Sequence, residues 1–180
     1  MKRQIVAAVI AVSVGGGGSA CADPAGINGT STPSAPIVLL DSTGKIAARA
    51  FTDTMMLVSV HPAVVAPALI HPIYDADGRA ASGLATWASD GSVLFTSADC
   101  SSGAHVFTSN HAGLRATSQV ATSGGTILYV GAIATTRSAS IQSILYGNGC
   151  RAVIVQQNGL IPVDLTVNLT TTYPPPLSFQ

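Results

Sequence analysis

The sequence predicts an all-β fold, a small antiparallel sandwich or barrel-like meander held by one disulfide. Three observations carry that expectation. The chain of 180 residues has no Glu and only two Lys, and its charged fraction is 9%, against about 25% in an average soluble protein. Strong helix formers are therefore scarce, while β-branched Val, Ile and Thr are abundant. From residue 36 onward the chain is short apolar runs cut by Gly, Asp and Asn turn signals, the punctuation of closely spaced strands. Finally, the cysteines leave one pair in the body of the chain, Cys100 and Cys150.

The first 22 residues have the three parts of a secretory leader. Lys2 and Arg3 are the basic start, residues 5–14 (IVAAVIAVSV) the apolar centre, and GGGGSACA the small-residue end. Ten apolar residues are too few to span a bilayer, and no run of about 18 occurs anywhere. Ala20-Cys21-Ala22 fits the cleavage pattern of small side chains, giving a start at Asp23. Gly18-Ser19-Ala20-Cys21 also resembles a lipobox, with Cys21 acylated, although Gly stands where Leu is usual. Both routes stay open, and both remove Cys21 from the thiol pool. The protein is expected to be exported: periplasmic, secreted or outer-membrane-anchored. Residues 23–35, rich in Pro, Gly, Ser and Thr, read as a flexible tether, and residues 36–180 as a single β domain.

In that domain Ile37–Leu40 is a strand, Asp41-Ser42-Thr43-Gly44 a turn, Lys45–Phe51 the return strand and Thr54–Val60 the next. Residues 61–74 carry Pro62, Pro67 and Pro72. Each lacks an amide proton, so an edge segment or an extended loop over the core is expected. Asp77-Gly78, Asp90-Gly91 and Ser102-Gly103 punctuate the middle of the chain. The similar runs SVLFTS and AHVFTS are expected to pair as a hairpin with Cys100 in the connection. Later strands are expected at Leu114–Thr122, Thr126–Ala134, Ala139–Tyr146, Ala152–Gln157 and Val163–Thr171. Gly124-Gly125, Asn148-Gly149 and Asn158-Gly159 are the turns between them. Tyr173-Pro174-Pro175-Pro176 is an extended surface piece or closing strap.

An even pair of cysteines in an exported domain is expected to oxidise. The Cys100–Cys150 bridge closes a loop worth about 4 kcal/mol by chain entropy. Neither cysteine belongs to a CxxC pair, which argues against thiol exchange chemistry and metal binding.

Charge excludes one class of partner. Once Lys2 and Arg3 leave with the leader, six basic side chains face eight Asp, so no basic surface for nucleic acid is expected. His61, His71, His105 and His111 lack metal-ligand spacing. No G-x-S-x-G elbow occurs, and without Glu there is no evident pair of catalytic acids. Asp75-Ala76-Asp77-Gly78 opens like a calcium loop, but lacks the later Glu and reads as a plain turn. Trp87 is expected in the core rather than on a ligand platform. No catalytic residue, cofactor or metal is expected.

Four stretches carry a resemblance: LLDSTGKIAARA (39–50), VLFTSADCSSGAHVFTS (93–109), SILYGNGC (143–150) and the ending PPPLSFQ. Together they resemble a β-rich C-terminal domain of bacterial exported, collagen-like or phage-tail-fibre-like surface proteins, a family without an assigned role. Such domains open on a D-x-x-G-K turn, carry a T-x-x-D-C-S/T-G run, place a second Cys after a Gly turn and end in Pro-Pro-apolar. This chain inserts Ser101 into the second motif and has no Gly-X-Y repeat before the domain. The resemblance, over about residues 36–180, implies architecture and an extracellular setting. The expected function is that of a non-enzymatic exported β domain, structural or recognising a protein or glycan surface. The alternative is an oligomer-forming, fibre-tip-like module with residues 62–73 at a homo-oligomer interface. An unidentified secreted hydrolase ranks third.

Overall fold

The structure, a computed structural model, describes residues 36–180 except Asp53, Asp90, residues 110–112 and Asn148. Cys21, Ala20, Ala22 and the tether lie outside the described residues. Residues from Ala35 onward form one compact unit.

Strands β1 (Val38–Leu40), β2 (Ile46–Ala50), β3 (Met55–His61), β4 (Val64–Tyr74), β5 (Ala80–Trp87) and β12 (Leu177–Phe179) form a closed antiparallel barrel in the order β1-β12-β5-β4-β3-β2. Its interior alternates large and small side chains across the register. Leu39 lies opposite Ala48, Ala48 opposite Val58, and Val58 opposite Ala66. Met56 meets Ala68, and Leu177 meets Ala85. All are buried. A barrel this narrow closes only if small residues face large ones, which explains so many Ala in runs that also alternate with bulky residues.

The first turn shows how local chemistry sets the ladder. Asp41 Oδ1 accepts from the Thr43 and Lys45 amides, at 2.9 and 3.0 Å, and from the Thr43 hydroxyl. Gly44 takes φ +82°, a conformation that favours glycine. The β4–β5 turn repeats this: Asp75 Oδ1 accepts from the Asp77 and Arg79 amides, with Gly78 at φ +74°. The plain-turn reading of Asp75-Ala76-Asp77-Gly78 is thus the observed one.

Residues 64–74 depart from the expected edge segment or loop. They form β4, paired with β3 on one side and β5 on the other. The prolines fit because each points its missing donor where the neighbouring strand has run out. Pro67 lies beyond the Ile70–Trp87 pair that ends the β5 ladder, and its carbonyl accepts from Thr117 Oγ1 at 2.9 Å. Pro72 lies beyond the Met55–Leu69 pair where the β3 ladder ends. Pro62 sits in the β3–β4 turn.

The other six strands are β6 (Val93–Phe95), β7 (Ala104–Phe107), β8 (Thr117–Thr122), β9 (Gly125–Gly131), β10 (Arg137–Tyr146) and β11 (Gly149–Asn168). They form a sheet in the order β10-β6-β7-β11-β9-β8, and β10 also pairs with β11. β6 and β7 pair as expected, with Cys100 in their connection. Val93, Phe95, Val106, Val120 and Ile161 make one small core, and Leu94, Ile141 and Leu160 another.

Asn158-Gly159 is not the expected turn between two strands. β11 runs straight through it, with Gly159 at φ +72°. Residues 158 and 159 lie between the partners of Ala139 and Arg137, so the pair forms a bulge. There β11 passes from its pairing with β10 to pairings with β7 and β9. The strand expected over Val163–Thr171 stops at Asn168. The Asn168 side chain accepts from the Thr171 amide and caps a short helix, α1 (Leu169–Thr172). This follows ordinary cap chemistry.

α1 and Tyr173 seal one end of the barrel. Leu169 and Tyr173 are buried in the barrel core beside Leu128 and Val130 of β9. Trp87 Nε1 donates to the Tyr173 carbonyl at 2.9 Å, and Tyr173 Oη donates to the Ser59 carbonyl at 2.9 Å. Trp87 is therefore a core residue, as expected. The proline run does act as a strap: it carries the chain from this plug to β12, the strand that closes the barrel.

Candidate recognition surface

The expected disulfide is present. Cys100 and Cys150 are bridged with Cα atoms 6.0 Å apart, joining the β6–β7 connection to the end of the β10–β11 hairpin. The residues around Cys100 serve this turn. Cys100 has φ +57°, and its amide donates to Ser143 Oγ at 3.0 Å. Ser143, fully buried on β10, donates in turn to the Ser97 carbonyl at 2.6 Å. Ser97 Oγ accepts from the Ser101 and Ser102 amides, both at 3.0 Å. The Ser101 hydroxyl donates to Asp99, which holds that carboxyl below its ordinary value. Gly103 has φ +66°, and a Cβ there would come within 1.8 Å of Thr96 Oγ1. The run Thr96–Gly103 is accounted for as a locked turn.

The histidines do not converge. His61 is exposed at the end of β3 and His71 is exposed on β4. His105 is buried, its Nδ1 2.8 Å from the Gly103 carbonyl. His111 lies outside the described residues. Among the described residues, no three His, Cys or Asp side chains gather closely enough to hold a metal ion. Arg115 is tied to structure, donating from Nε to the Gly131 carbonyl at 2.7 Å and pairing with Asp164.

What the surface does offer is apolar relief. The outer face of β4 alternates with its buried face, so Val65 and Leu69 are 53% and 40% exposed while Ala66, Ala68 and Ile70 are buried. Met55, Pro67, Leu69, Phe107 and Thr117 line a depression of about 230 Å³ that also includes Thr108 and Ser109. Those two residues also line a second depression of about 360 Å³, with Leu114, Arg115, Ala116, Ile133 and Ile161. The two depressions lie side by side, with Thr108 and Ser109 in the lining of both. Phe107 is 48% exposed and Ile133 is 92% exposed. Residues 64–70 are apolar throughout, so the outward placement of Val65 and Leu69 follows from the pairing of β4 and not from a sequence period. Phe107 and Ile133 join them only through the fold.

The barrel strands also carry a depression of their own. Ile70, Pro72, Ala81, Ala85 and Phe179, with Thr54, border a space of about 260 Å³. No family model, curated protein or solved structure matches the chain.

Proposed function

We propose that this is an exported, non-enzymatic β domain whose role is to recognise a protein surface through the relief over Leu69, Phe107 and Ile133. The observation that carries the reading is the relief itself. Two depressions that share Thr108 and Ser109 expose large apolar side chains there, Leu69, Phe107 and Ile133 among them. Exposed apolar relief of this kind marks partner surfaces. Trp87 and Tyr173 are buried, so the indole platform that would favour a glycan is not offered to solvent. The leader reading supports an extracytoplasmic setting, and the resemblance to exported surface domains points the same way. Of the two leader routes, simple cleavage predicts a mature start at Asp23. Acylation predicts a lipid-bearing Cys21, with palmitate label lost in Cys21→Ser.

The test is site-specific photocrosslinking in intact cells. A crosslinker at Phe107 is expected to give a discrete protein adduct, whereas one at exposed Ser140 on β10 is expected to give none. No adduct at Phe107, or the same adducts at both positions, would contradict the reading.

A second reading has its own observation. The exposed apolar residues of β4, Val65 and Leu69, suit the subunit interface of an oligomer-forming, fibre-tip-like module.

A further inference from the structure

We infer that the outer edge of β11, residues 149–157, is a self-pairing site that joins two copies of this chain into one continuous sheet. The inference does not depend on that recognition surface and assigns a different surface from β4.

Among the described residues, β10 accounts for all the strand pairing of residues 149–157. β7 and β9 pair with β11 only from Leu160 onward. Opposite β10, this stretch has no strand partner among the described residues. Such edges invite another strand and are usually blunted by Pro, by charge, by a bulge or by a cover; of these, this edge carries a bulge at Val153-Ile154 and the charge of Arg151. The sheet's other border is covered. On β8, the Gln119 carbonyl accepts from the Gly91 amide at 2.8 Å, and its side chain bonds Leu69 and Ala88. The β11 edge has no Pro and no Asp, and only Arg151 is charged. Ile154, in a bulge opposite Gln142, is 93% exposed.

The sequence of this edge selects the partner. Run antiparallel about residue 154, the segment meets its own copy with Ile154 on Ile154, Val153 on Val155 and Arg151 on Gln157. The β-branched residues meet one another and no like charges face each other, the favourable arrangement for cross-strand pairs. Parallel in-register stacking would set Arg151 against Arg151. The pairing is therefore two-fold and closed, giving a dimer rather than a filament.

The experiment is light scattering after size exclusion on protein exported from the full-length gene, with its disulfide intact. The wild type is expected to show the mass of two chains, and Ile154→Lys to weaken self-association by about tenfold or more. Because Ile154 is almost fully exposed, the variant should keep its near-ultraviolet circular dichroism. Hydrogen exchange gives an independent readout, with the amides of residues 151–157 slowing as wild-type concentration rises. Leu69→Lys is expected to leave the dimer intact. Single-chain mass up to about 100 µM would overturn the inference. So would a dimer that survives Ile154→Lys, or one lost through Leu69→Lys alone, which would favour the β4 interface instead.

Discussion

In the barrel, six strands pair side by side until β12 meets both β1 and β5, and no edge is left over. In the second sheet, six strands of similar composition end with β11 reaching out on β10 alone over residues 149–157. The barrel buries a continuous core from Leu39 to Leu177. The second sheet contributes Leu128 and Val130 to that core, divides other apolar residues between two small clusters, and adds a covalent link. Both regions close by strand pairing, since β10 pairs with β6 and β11 and β7 joins β6 to β11; the second adds a sulfur link from the β6–β7 connection to the β10–β11 hairpin.

The strongest way to break this comparison is at the barrel's closing strand. Leu177 is fully buried opposite Ala85. Leu177→Ala is expected to cost about 3 kcal/mol, and Leu177→Asp more, because it also buries a charge. Urea unfolding measures both. A loss below about 1 kcal/mol for Leu177→Ala would mean that closure contributes little.

Next comes the link. Cys100→Ser with Cys150→Ser is expected to lower stability by up to about 4 kcal/mol, the loop-entropy value. The same measurement on both single variants should give nearly equal losses, since either alone breaks the bond.

A smaller effect tests the strand that changes partners. Gly159 has φ +72° with open space around its Cα, so Gly159→Ala meets conformational strain and no clash. The expected cost is about 1 kcal/mol, with Gly159→Asn milder because Asn tolerates this conformation. Equal stability of all three would show that the bulge is not held in the left-handed region.

The smallest effect is electrostatic and has one group in each region. The Thr43 hydroxyl foremost holds Asp41 below its usual value of 3.8, with the Lys45 and Thr43 amides helping against the cost of burial. The Ser101 hydroxyl foremost holds Asp99 below the same value. A carboxyl depressed on folding adds stability above its unfolded pKa and loses it as pH falls through the folded one. The thermal midpoint should therefore drop between about pH 5 and pH 2. Asp41→Asn and Asp99→Asn should each flatten part of that drop. Acid curves identical to wild type in both variants would contradict the assignment.

The parts legible in the sequence were those set by neighbours along the chain. Asp41–Lys45, the β6–β7 hairpin and the turn expected at Gly124-Gly125, which the chain makes one residue earlier between Thr122 and Gly125, depend on a few consecutive residues, and the Cys100–Cys150 pair followed from counting. The misread parts depend on where distant strands stop. Pro67 and Pro72 are harmful in a strand only if a neighbour needs their missing donor, and the ends of β3 and β5 decide that. Asn158-Gly159 supplies the same left-handed backbone to a reversal or to a bulge. Here β7 and β9 continue the pairing of β11, so the strand bends and goes on. The recognition surface was partly legible: the apolar segment 62–73 was expected at an interface, but which of its residues face out depends on the pairing of β4, and Phe107 and Ile133 come near Leu69 only through the tertiary fold.

Hydrogen exchange with and without reductant tests most directly whether the second sheet, unlike the barrel, depends on the sulfur link. On reduction, amides of residues 93–107 and 137–157 should exchange much faster, while those of residues 38–48, 55–70 and 84–87 keep their protection. A uniform loss of protection across both regions would contradict the account, because the barrel would then depend on the sulfur link as much as the second sheet does.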